Sequence, residues 1–527
     1  MRLAAYVLPG QFRKNPLYLV VTVFLFFYLA YKLAQYVLAG DLIGLAFVAL
    51  GFAVAASLST ILSRWRTGLY VFLGWLFFED LARKYLGNNM AIYFGKNVLV
   101  GVVYLSFFFA YRKREVQTFT LPFRLPLLLF LWFGIIQVFN PASTSLIYGI
   151  LGMKLYFYYI PLIFVGYALI DKESNLQKFY PYLLGLSLVV AMLGIAQSIV
   201  GHTFLNPTIT ADDIRDLSTN YRVSPITGVI VYRPTSVFVS NGRFAFFLVP
   251  AWLFAFGYGG YLILRTRKGR ILTLLSLGTI TVAIAMAASR GTLLWTAGSA
   301  IVCVVAFLWG CPWQRGQLVR VLRSFQRTLI IAILFMGLAI FLFPTEVSNR
   351  FTFYSETLSL TSPASELLQR TGDYPIRNFL YAFDSPRWPY GFGIGTSSLG
   401  TPYVARIFHV PLTGFSVESG YGTLVVELGI VGLFLWLLMA SAIVISAWKV
   451  VRKLKGTVWF PLGFVIFWYA LLLLFPYTYE GLAPFQDFIL NSLLWLSLGI
   501  LFRLPSLAFD LQSNSPTAGS AYAPRTS

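Results

Sequence analysis

Arginine is the residue type that most directly indicates chemistry in this chain. Three segments that the topology below places outside the membrane carry ten ionised basic residues, and every one is arginine. Its guanidinium presents a planar fork of donors to two oxygens of an anion at once, whereas lysine acts as a point charge. The bias therefore indicates bidentate recognition of an anion. The ten residues are Arg215, Arg222, Arg233, Arg243, Arg290, Arg350, Arg370, Arg377, Arg387 and Arg406.

Three of these arginines stand where hydrophobic runs begin. Arg290 lies between two apolar runs, and the segment from Arg233 through Asn241 to Arg243 leads directly into another. A charge near membrane depth is costly and tends to be functional. The alternative for Arg290 is a side chain that snorkels to the interface, and the alternative for the second segment is an ordinary interfacial anchor.

Two glutamates flank the start of the apolar run that follows the long polar segment. Glu418 precedes Gly422, where the run begins, and Glu427 lies inside it. A carboxylate just before a helix stabilises its N-terminus electrostatically, which is the structural alternative to a functional role for Glu418. An ionisable residue at the depth of Glu427 indicates function unless it bonds a neighbouring helix.

The glycines of Gly391-Phe-Gly-Ile-Gly395 superficially resemble a phosphate-binding loop. A dinucleotide fold needs a preceding strand and a following helix, and this segment instead follows Pro386-Arg-Trp-Pro389 outside the membrane. We therefore expect no nucleotide cofactor. The glycines serve either a tight turn with unusual backbone angles or a close approach of the backbone to a ligand.

Metal chemistry is not indicated either. Two cysteines, Cys303 and Cys311, and two histidines, His202 and His409, are too few for a disulfide framework or a His-based metal cluster. Asp212-Asp213 is typical of the polar start of a short helix. The absence of an Asp-x-Asp motif from the sequence disfavours a sugar-nucleotide donor with a divalent ion. We expect neither a metal nor a cofactor.

Composition indicates the environment in which the chain folds. The chain of 527 residues is 58% hydrophobic and 11% charged, with a net charge of +21; a soluble protein carries about 25% charged residues. In a soluble protein that net charge would suggest nucleic acid. Here the basic residues collect in short segments between hydrophobic runs, which marks cytoplasmic loops. The partner is therefore the lipid bilayer, not nucleic acid.

Hydropathy and the basic loops together predict an all-α integral membrane protein, a polytopic bundle of about 14 helices (12–14) with a long, partly helical external loop and both termini cytoplasmic. The predicted spans are 17–38, 42–62, 68–86, 92–111, 123–139, 146–170, 179–200, 244–264, 271–289, 291–310, 328–344, 422–447, 457–476 and 486–503. The predicted regions are 1–200 (helices), 201–243 (external loop), 244–343 (helices), 344–421 (long external loop), 422–503 (helices) and 504–527 (disordered cytoplasmic tail).

At these residues the chain resembles the O-antigen ligase and Wzy-type O-antigen polymerase family. The order of four motifs across about 230–435 carries the resemblance, whereas the first 200 residues are similar only as generic spans. The motifs are Arg233-Pro-Thr-Ser-Val-Phe-Val-Ser-Asn241; Ala287-Ala-Ser-Arg290-Gly-Thr-Leu-Leu; Arg370 followed by Tyr390-Gly-Phe-Gly-Ile-Gly395; and Glu418-Ser-Gly-Tyr-Gly-Thr-Leu-Val-Val-Glu427-Leu-Gly429-Ile-Val-Gly432.

The resemblance implies a type C glycosyltransferase-like fold in the bacterial cytoplasmic (inner) membrane, with the active site facing the periplasm or exterior and the 344–421 loop catalytic. The implied enzyme is metal-independent and moves a glycan from an undecaprenyl-diphosphate-linked donor onto a glycan or lipid-linked acceptor, building O-antigen, exopolysaccharide or a related surface glycan. Polymerisation is favoured over ligation, and polysaccharide-assembly proteins are possible partners.

The resemblance also implies roles for individual residues. Arg290 would be catalytic and would bind diphosphate with Arg233 and Arg370, while Arg243 and Arg377 are weaker candidates; forked, charge-assisted hydrogen bonds would stabilise the leaving group. Many relatives carry a His-Asn-like pair where this chain has Glu418-Ser419. Glu418 would therefore be the base for the acceptor hydroxyl, with His409 as the alternative base. Glu427 and Asn241 are secondary candidates.

Three other functions stay open at this stage. A lipid-linked glycan flippase or another polytopic transporter could also use outward arginines, but it should place charges along a pathway at membrane depth. A peptidoglycan-polymerising transferase shares the lipid diphosphate chemistry and fits the motifs less well. A structural scaffold is the third, since composition alone does not exclude it.

Overall fold

The computed structural model describes residues 58–86, 90–207, 220–265, 269–313, 343–359, 373–412 and 415–513, with a few isolated positions between them. The predicted spans 17–38, 42–62 and 328–344 lie wholly or largely outside the described residues. Within those ranges the regular secondary structure is helical except for one antiparallel hairpin, in which Tyr221 pairs with Tyr232.

The helices are numbered here in chain order. They are α1 (Trp65–Tyr85), α2 (Met90–Arg112), α3 (Arg124–Val138), α4 (Leu146–Phe157), α5 (Leu162–Leu169), α6 (Glu173–Val200), α7 (Asn241–Leu264), α8 (Arg270–Met286), α9 (Arg290–Gly310), α10 (Pro344–Leu358), α11 (Asp373–Tyr381), α12 (Thr401–Phe408), α13 (Gly420–Leu454), α14 (Phe460–Leu474), α15 (Pro476–Glu480), α16 (Ala483–Gln486) and α17 (Phe488–Ser513). The strands are β1 (Tyr221–Val223) and β2 (Ile230–Tyr232), and a 3-10 turn covers Ala382–Asp384.

Eight helical segments of the described chain are long and apolar enough to cross a membrane. They are Ile92–Arg112, Leu146–Leu169, Glu173–Val200, Asn241–Leu264, Arg290–Gly310, Gly420–Leu454, Phe460–Glu480 and Phe488–Phe509. The protein is therefore an all-α, multi-pass membrane protein, as its composition predicts. The total of about 14 spans and their orientation stay predictions. Helix α1, which corresponds to the predicted span 68–86, is rich in charge and is not among the eight.

Serine side chains fix where several helices begin. Ser145, Ser240, Ser289 and Ser419 precede α4, α7, α9 and α13, and each hydroxyl accepts a hydrogen bond from a backbone N–H in the first turn. Such a cap satisfies one of the free amides at a helix start. The observed starts therefore lie within a few residues of the predicted spans 146–170, 244–264, 291–310 and 422–447.

The chain divides into two compact units, Met1–Trp75 with Phe94–Glu115, and Leu76–Tyr93 with Val116–Ser527. In the first unit, Trp65 packs edge-on against Phe107 at 5.4 Å between ring centroids. In the second unit, α17 packs on α5, α7 packs on α8 and α14, and α13 packs on α3 and α14. Its core includes Trp436, whose ring meets Phe485 edge-on at 4.5 Å.

The last helix corrects one expectation. Helix α17 continues to Ser513, beyond the predicted end of the last span at 503, so the start of the segment predicted as a disordered tail is helical. The physical reason is that the apolar face continues: Leu504 is fully buried and Leu507 is only 5% exposed. The remaining residues, 514–527, lie outside the described chain.

Candidate functional site

The backbone that carries Arg233 is clamped by two helices. Arg233 follows β2 and leads into a turn in which Ser236 adopts a left-handed conformation, with a φ of 52°. From α6, Gln197 Oε1 accepts the N–H groups of Thr235 (2.8 Å) and Ser236 (2.6 Å). From α1, Lys84 Nζ donates to the Thr235 hydroxyl (3.0 Å) and to the Ser236 carbonyl (2.8 Å). These buried and half-buried contacts fix the main chain immediately beyond Arg233.

A second predicted site residue, Arg290, is the first residue of α9. The chain turns tightly between α8 and α9, with Ala288 in the left-handed region (φ 47°) and Ser289 as the cap of α9. A Cβ added at Gly291 would have no atom within 4 Å, so the first turn of α9 is open there. A helix N-terminus offers free amides and a positive dipole end, and Arg290 adds a guanidinium to them.

Tyr354 of α10 lies where β2 packs on this corner. Its hydroxyl donates to the Ala285 carbonyl at 3.2 Å, and its ring packs against the cluster of Val231, Ala288 and Phe353. Burial raises the pKa of Tyr354 to about 12, while the Ser289 N–H and the charges of Arg350 and Arg233 act in the opposite direction. The structure therefore packs β2, which leads into Arg233, against the corner that leads into Arg290.

Arg350 is a structural member of this region. It is 3% exposed, and its guanidinium donates to the carbonyls of Met286 (3.2 Å), Tyr232 (3.3 Å) and Ser198 (3.4 Å) and to the carboxylate of Glu346 (2.7 Å). Met286 and Ser198 lie at the C-terminal ends of α8 and α6, where carbonyls need donors and a positive charge is favourable. Arg350 thus ties β2 to the corner before α9.

Arg243, a weaker predicted phosphate ligand, is held by two carboxylates. Its guanidinium pairs with Asp80 and, at 2.7 Å, with Asp487, and it lies 4.0 Å above the Phe488 ring. These contacts join the end of α1 to the starts of α7 and α17. The predicted alternation of membrane spans places these three helix ends on the same side of the membrane. The pairing offsets the charge of Arg243, so its observed role is to hold these ends together.

Asn241, a secondary candidate, acts on Arg233 through one intermediate residue. Its Nδ2 donates to Asn220 Oδ1 at 2.7 Å, and both side chains are at least nine-tenths buried. The Asn220 carbonyl in turn accepts the backbone N–H of Arg233 at 2.7 Å. The first residue of α7 therefore helps to position the main chain of Arg233.

Glu418 lies at the surface just before α13, where it pairs with the hydroxyl of Tyr374 on α11. Arg377 is exposed on the same short helix, and both Tyr374 and Arg377 line an open cavity of about 500 Å³. His409, the alternative base, is exposed at the end of α12 in a left-handed conformation with a φ of 52°.

The short helix α15 joins the starts of α9 and α13. Trp295 Nε1, in the second turn of α9, donates to the Glu480 carboxylate at 3.3 Å. Ser419, the cap of α13, donates through its hydroxyl to the Tyr479 carbonyl at 3.4 Å. The helix starts that carry Arg290 and follow Glu418 therefore belong to one end of the bundle, although they are far apart in sequence.

Glu427 is enclosed by protein donors. It is fully buried, and its carboxylate accepts the Tyr156 hydroxyl (2.9 Å), the Ser398 hydroxyl (2.7 Å) and the Ser397 N–H (2.9 Å). Tyr156 lies on α4, and the two serines lie just before α12. Glu427 therefore bonds a neighbouring helix, which is the structural alternative to a functional role for this residue.

The glycine motif, between the 3-10 turn and α12, inserts into a break in α13. Gly429 interrupts that helix with φ 71° and ψ −176°, which frees backbone carbonyls at membrane depth. The N–H of Phe392 donates to the Val426 carbonyl (2.8 Å), and the N–H of Gly393 donates to the Glu427 carbonyl (2.9 Å). Irregular backbone in a membrane is tolerated when protein groups satisfy it, as they do here.

The spacing of this motif follows from close backbone contacts. Gly391 and Gly395 have positive φ values of 75° and 85°. A Cβ at Gly391 would lie 2.3 Å from the Glu427 carbonyl oxygen, and one at Gly395 would lie 2.0 Å from that of Tyr148. The motif is therefore a tight turn whose backbone closely approaches other protein backbone. The other interpretation, an approach of this backbone to a ligand, stays a prediction.

Sequence reasoning missed the residues that position the arginines. Lys84, Gln197 and Tyr354 carry no motif, and their roles depend on contacts between segments distant in sequence; the excess charge on α1 was the only available signal for Lys84. Arg370 lies outside the described residues. Among the residues that the structure describes, no group of three or more His, Cys, Asp or Glu side chains could hold a metal ion. The expectation of no metal and no cofactor stays a prediction.

No protein-family model matches the chain, and no curated protein matches it.

Proposed function

We propose that the protein is a metal-independent glycosyltransferase that polymerises, rather than ligates, glycans carried on undecaprenyl diphosphate at the external face of the bacterial cytoplasmic membrane. The proposal includes a type C glycosyltransferase-like bundle of about 14 spans, a glycan or lipid-linked acceptor, and polysaccharide-assembly partners. It begins from the resemblance of the four motifs and is supported by the geometry around their residues.

One observation carries the proposal: the strand that precedes Arg233 packs on the corner that precedes Arg290, with Val231, Ala288 and Phe353 in one buried cluster, beside the open N-terminus of α9. Two guanidinium groups and a helix start form a strongly anion-attracting arrangement. A diphosphate that leaves a sugar gains negative charge, so donors placed beforehand at this point would stabilise the transition state more than the ground state.

The reaction can be written with the residues of this chain alone. The acceptor hydroxyl loses its proton to Glu418, and its oxygen forms a bond to the anomeric carbon of the donor sugar. The bond from that carbon to the diphosphate oxygen breaks, and its electron pair leaves with the diphosphate that Arg233 and Arg290 hold. Helix α15 supports the proposal because it joins the start of α9, which carries Arg290, to the start of α13, which Glu418 precedes.

The first test is made in cells. In a deletion strain that carries Arg290→Ala, we expect surface polysaccharide to remain at single repeats, whereas the wild-type gene restores long chains. Arg387→Ala is the matched control, since Arg387 is an exposed arginine of the long loop outside the proposed site. Both variants must be present in the membrane at wild-type amounts. Long chains with Arg290→Ala would refute the site, and finished polymer retained on its carrier in the deletion strain would indicate ligation.

A further inference from the structure

An open groove lies on the external loop, apart from Arg233 and Arg290. It has a volume of about 500 Å³, within the range of roughly 300–1,000 Å³ that small-molecule sites occupy. Helix α11 and the 3-10 turn that follows it supply the lining. The lining residues are Tyr374, Arg377, Asn378, Leu380, Tyr381 and Asp384.

The chemistry of the lining favours an uncharged, polyhydroxylated ligand. Arg377 and Asp384 bring opposite charges, so the groove has no formal net charge. An amide, a carboxylate and a guanidinium offer both acceptors and donors to hydroxyl groups, and the two tyrosines add aromatic surface with a polar tip. A diphosphate would meet the carboxylate of Asp384, which disfavours an anion in this groove.

Packing holds the lining in place before any ligand arrives. Tyr381 stacks on Phe415 with 5.1 Å between ring centroids and 21° between planes. Asn378 Nδ2 donates to the Tyr374 carbonyl at 3.0 Å within α11. The Asn378 carbonyl also lies close to Gly422, in the first turn of α13. Side chains ordered beforehand lose less entropy when a ligand binds.

We propose that this groove binds the sugar chain of the acceptor. The inference rests on the proposed function, because it is the link from Tyr374 to Glu418 that makes the groove part of the reaction. A saccharide seated on α11 would lie next to the carboxylate that receives its hydroxyl proton. Arg377 then contacts sugar hydroxyl groups instead of the diphosphate for which the sequence suggested it.

The test uses the purified full-length protein with its lipid-linked donor and, as acceptor, the lipid-linked single repeat from the deletion strain. We expect Asn378→Ala and Asp384→Asn to raise the KM for the acceptor about tenfold, the effect of one lost polar contact, without changing the KM for the donor. Arg387→Ala, an exposed change outside the groove, should change neither KM. A structural defect would instead lower kcat or the folded amount.

The outcomes separate the two claims. If wild-type protein makes the glycosidic bond and both groove variants keep the wild-type KM for the acceptor, the groove inference is wrong and the proposed function stands. If the wild-type protein makes no glycosidic bond, the proposed function fails. Direct binding then tests the groove alone. The repeat released from its lipid by mild acid should show saturation-transfer NMR signals with the wild-type protein, and Asn378→Ala should weaken them. Equal signals with both proteins, or no signal with the wild-type protein, would overturn the inference.

Discussion

Glu356 ties a surface turn to α10 through its carboxylate. Its Oε2 accepts the N–H groups of Ile226 (2.9 Å) and Thr227 (3.2 Å). Hydrogen bonds from Thr227, together with the one from Ile226, lower the pKa of Glu356 below its ordinary value of 4.5. The folded state therefore binds this proton more weakly than the unfolded state, and the contact stabilises the fold when the carboxyl group is ionised.

The pH dependence of stability follows from the direction of this pKa shift. The stabilisation by Glu356 should be fully present above the unfolded pKa and should be lost as pH falls through the lower folded pKa. Glu356→Gln should remove this part of the acid sensitivity. Thermal unfolding midpoints of the detergent-purified proteins, measured from neutral pH downward, test the prediction. Parallel midpoint curves for the two proteins would contradict it.

Glu418, and not His409, is predicted to be the base. Glu418→Gln keeps the size of the side chain and removes its ability to accept a proton, so we expect a loss of turnover of about 10²–10⁴-fold. His409→Ala should retain activity, because His409 lies at the end of α12 and Glu418 adjoins the groove through Tyr374. Initial rates of glycan transfer decide between them. Loss with His409→Ala and retention with Glu418→Gln would reverse the assignment.

Single residues show where sequence reasoning succeeds and where it stops. The motifs point to Arg233 and Arg290, because charge beside apolar runs is visible in a sequence, and the structure packs the strand before Arg233 against the corner before Arg290. The two carboxylates that hold Arg243, by contrast, could not be predicted. They lie 163 and 244 residues away along the chain, and a single sequence does not show which distant residues come into contact.

At the scale of elements, the loop turn and the break in α13 form one unit, which a matched pair of substitutions can test. Gly391→Ala should destabilise the protein by about 2–4 kcal/mol, because the residue has a positive φ and the added Cβ would meet backbone at 2.3 Å. Gly278→Ala in α8 is the control, since its Cβ would have no atom within 4 Å. The control should be neutral or should stabilise by about 0.5–1 kcal/mol.

Unfolding midpoints of the two glycine variants in the same detergent provide the measurement. A midpoint for Gly391→Ala equal to that of Gly278→Ala would show that the turn does not depend on its close contact with α13. A lower midpoint only for Gly391→Ala is the expected result.

Helix boundaries could be predicted better than helix continuity. Serine caps and hydrophobic length are local signals. Helix α9, which Ser289 caps, begins one residue before the predicted span 291–310, and the apolar α3 (Arg124–Val138) closely matches the predicted span 123–139. The break at Gly429 could not be predicted, because a glycine inside an apolar run is usually tolerated in a helix. Its cause is a loop distant in sequence that supplies the missing donors.

For the whole molecule, the hydrophobic composition predicts the membrane and the helical class, and eight apolar helices within the described chain agree with both. The hydrogen bonds between Trp295 and Glu480 and between Ser419 and Tyr479 place the starts of α9 and α13 at one end of the bundle. The sequence predicts this only through the alternation of spans. Which end faces outward depends on the positive-inside rule.

The central claim is that the protein forms a glycosidic bond, and purified protein mixed with lipid-linked donor and acceptor tests it most directly. Mass spectrometry of the products should show a lengthened lipid-linked glycan and released undecaprenyl diphosphate with the wild-type protein, and neither with Arg290→Ala. If the wild-type protein leaves both substrates unchanged in detergent but moves lipid-linked glycan across a reconstituted bilayer, the protein is a transporter and the account is contradicted.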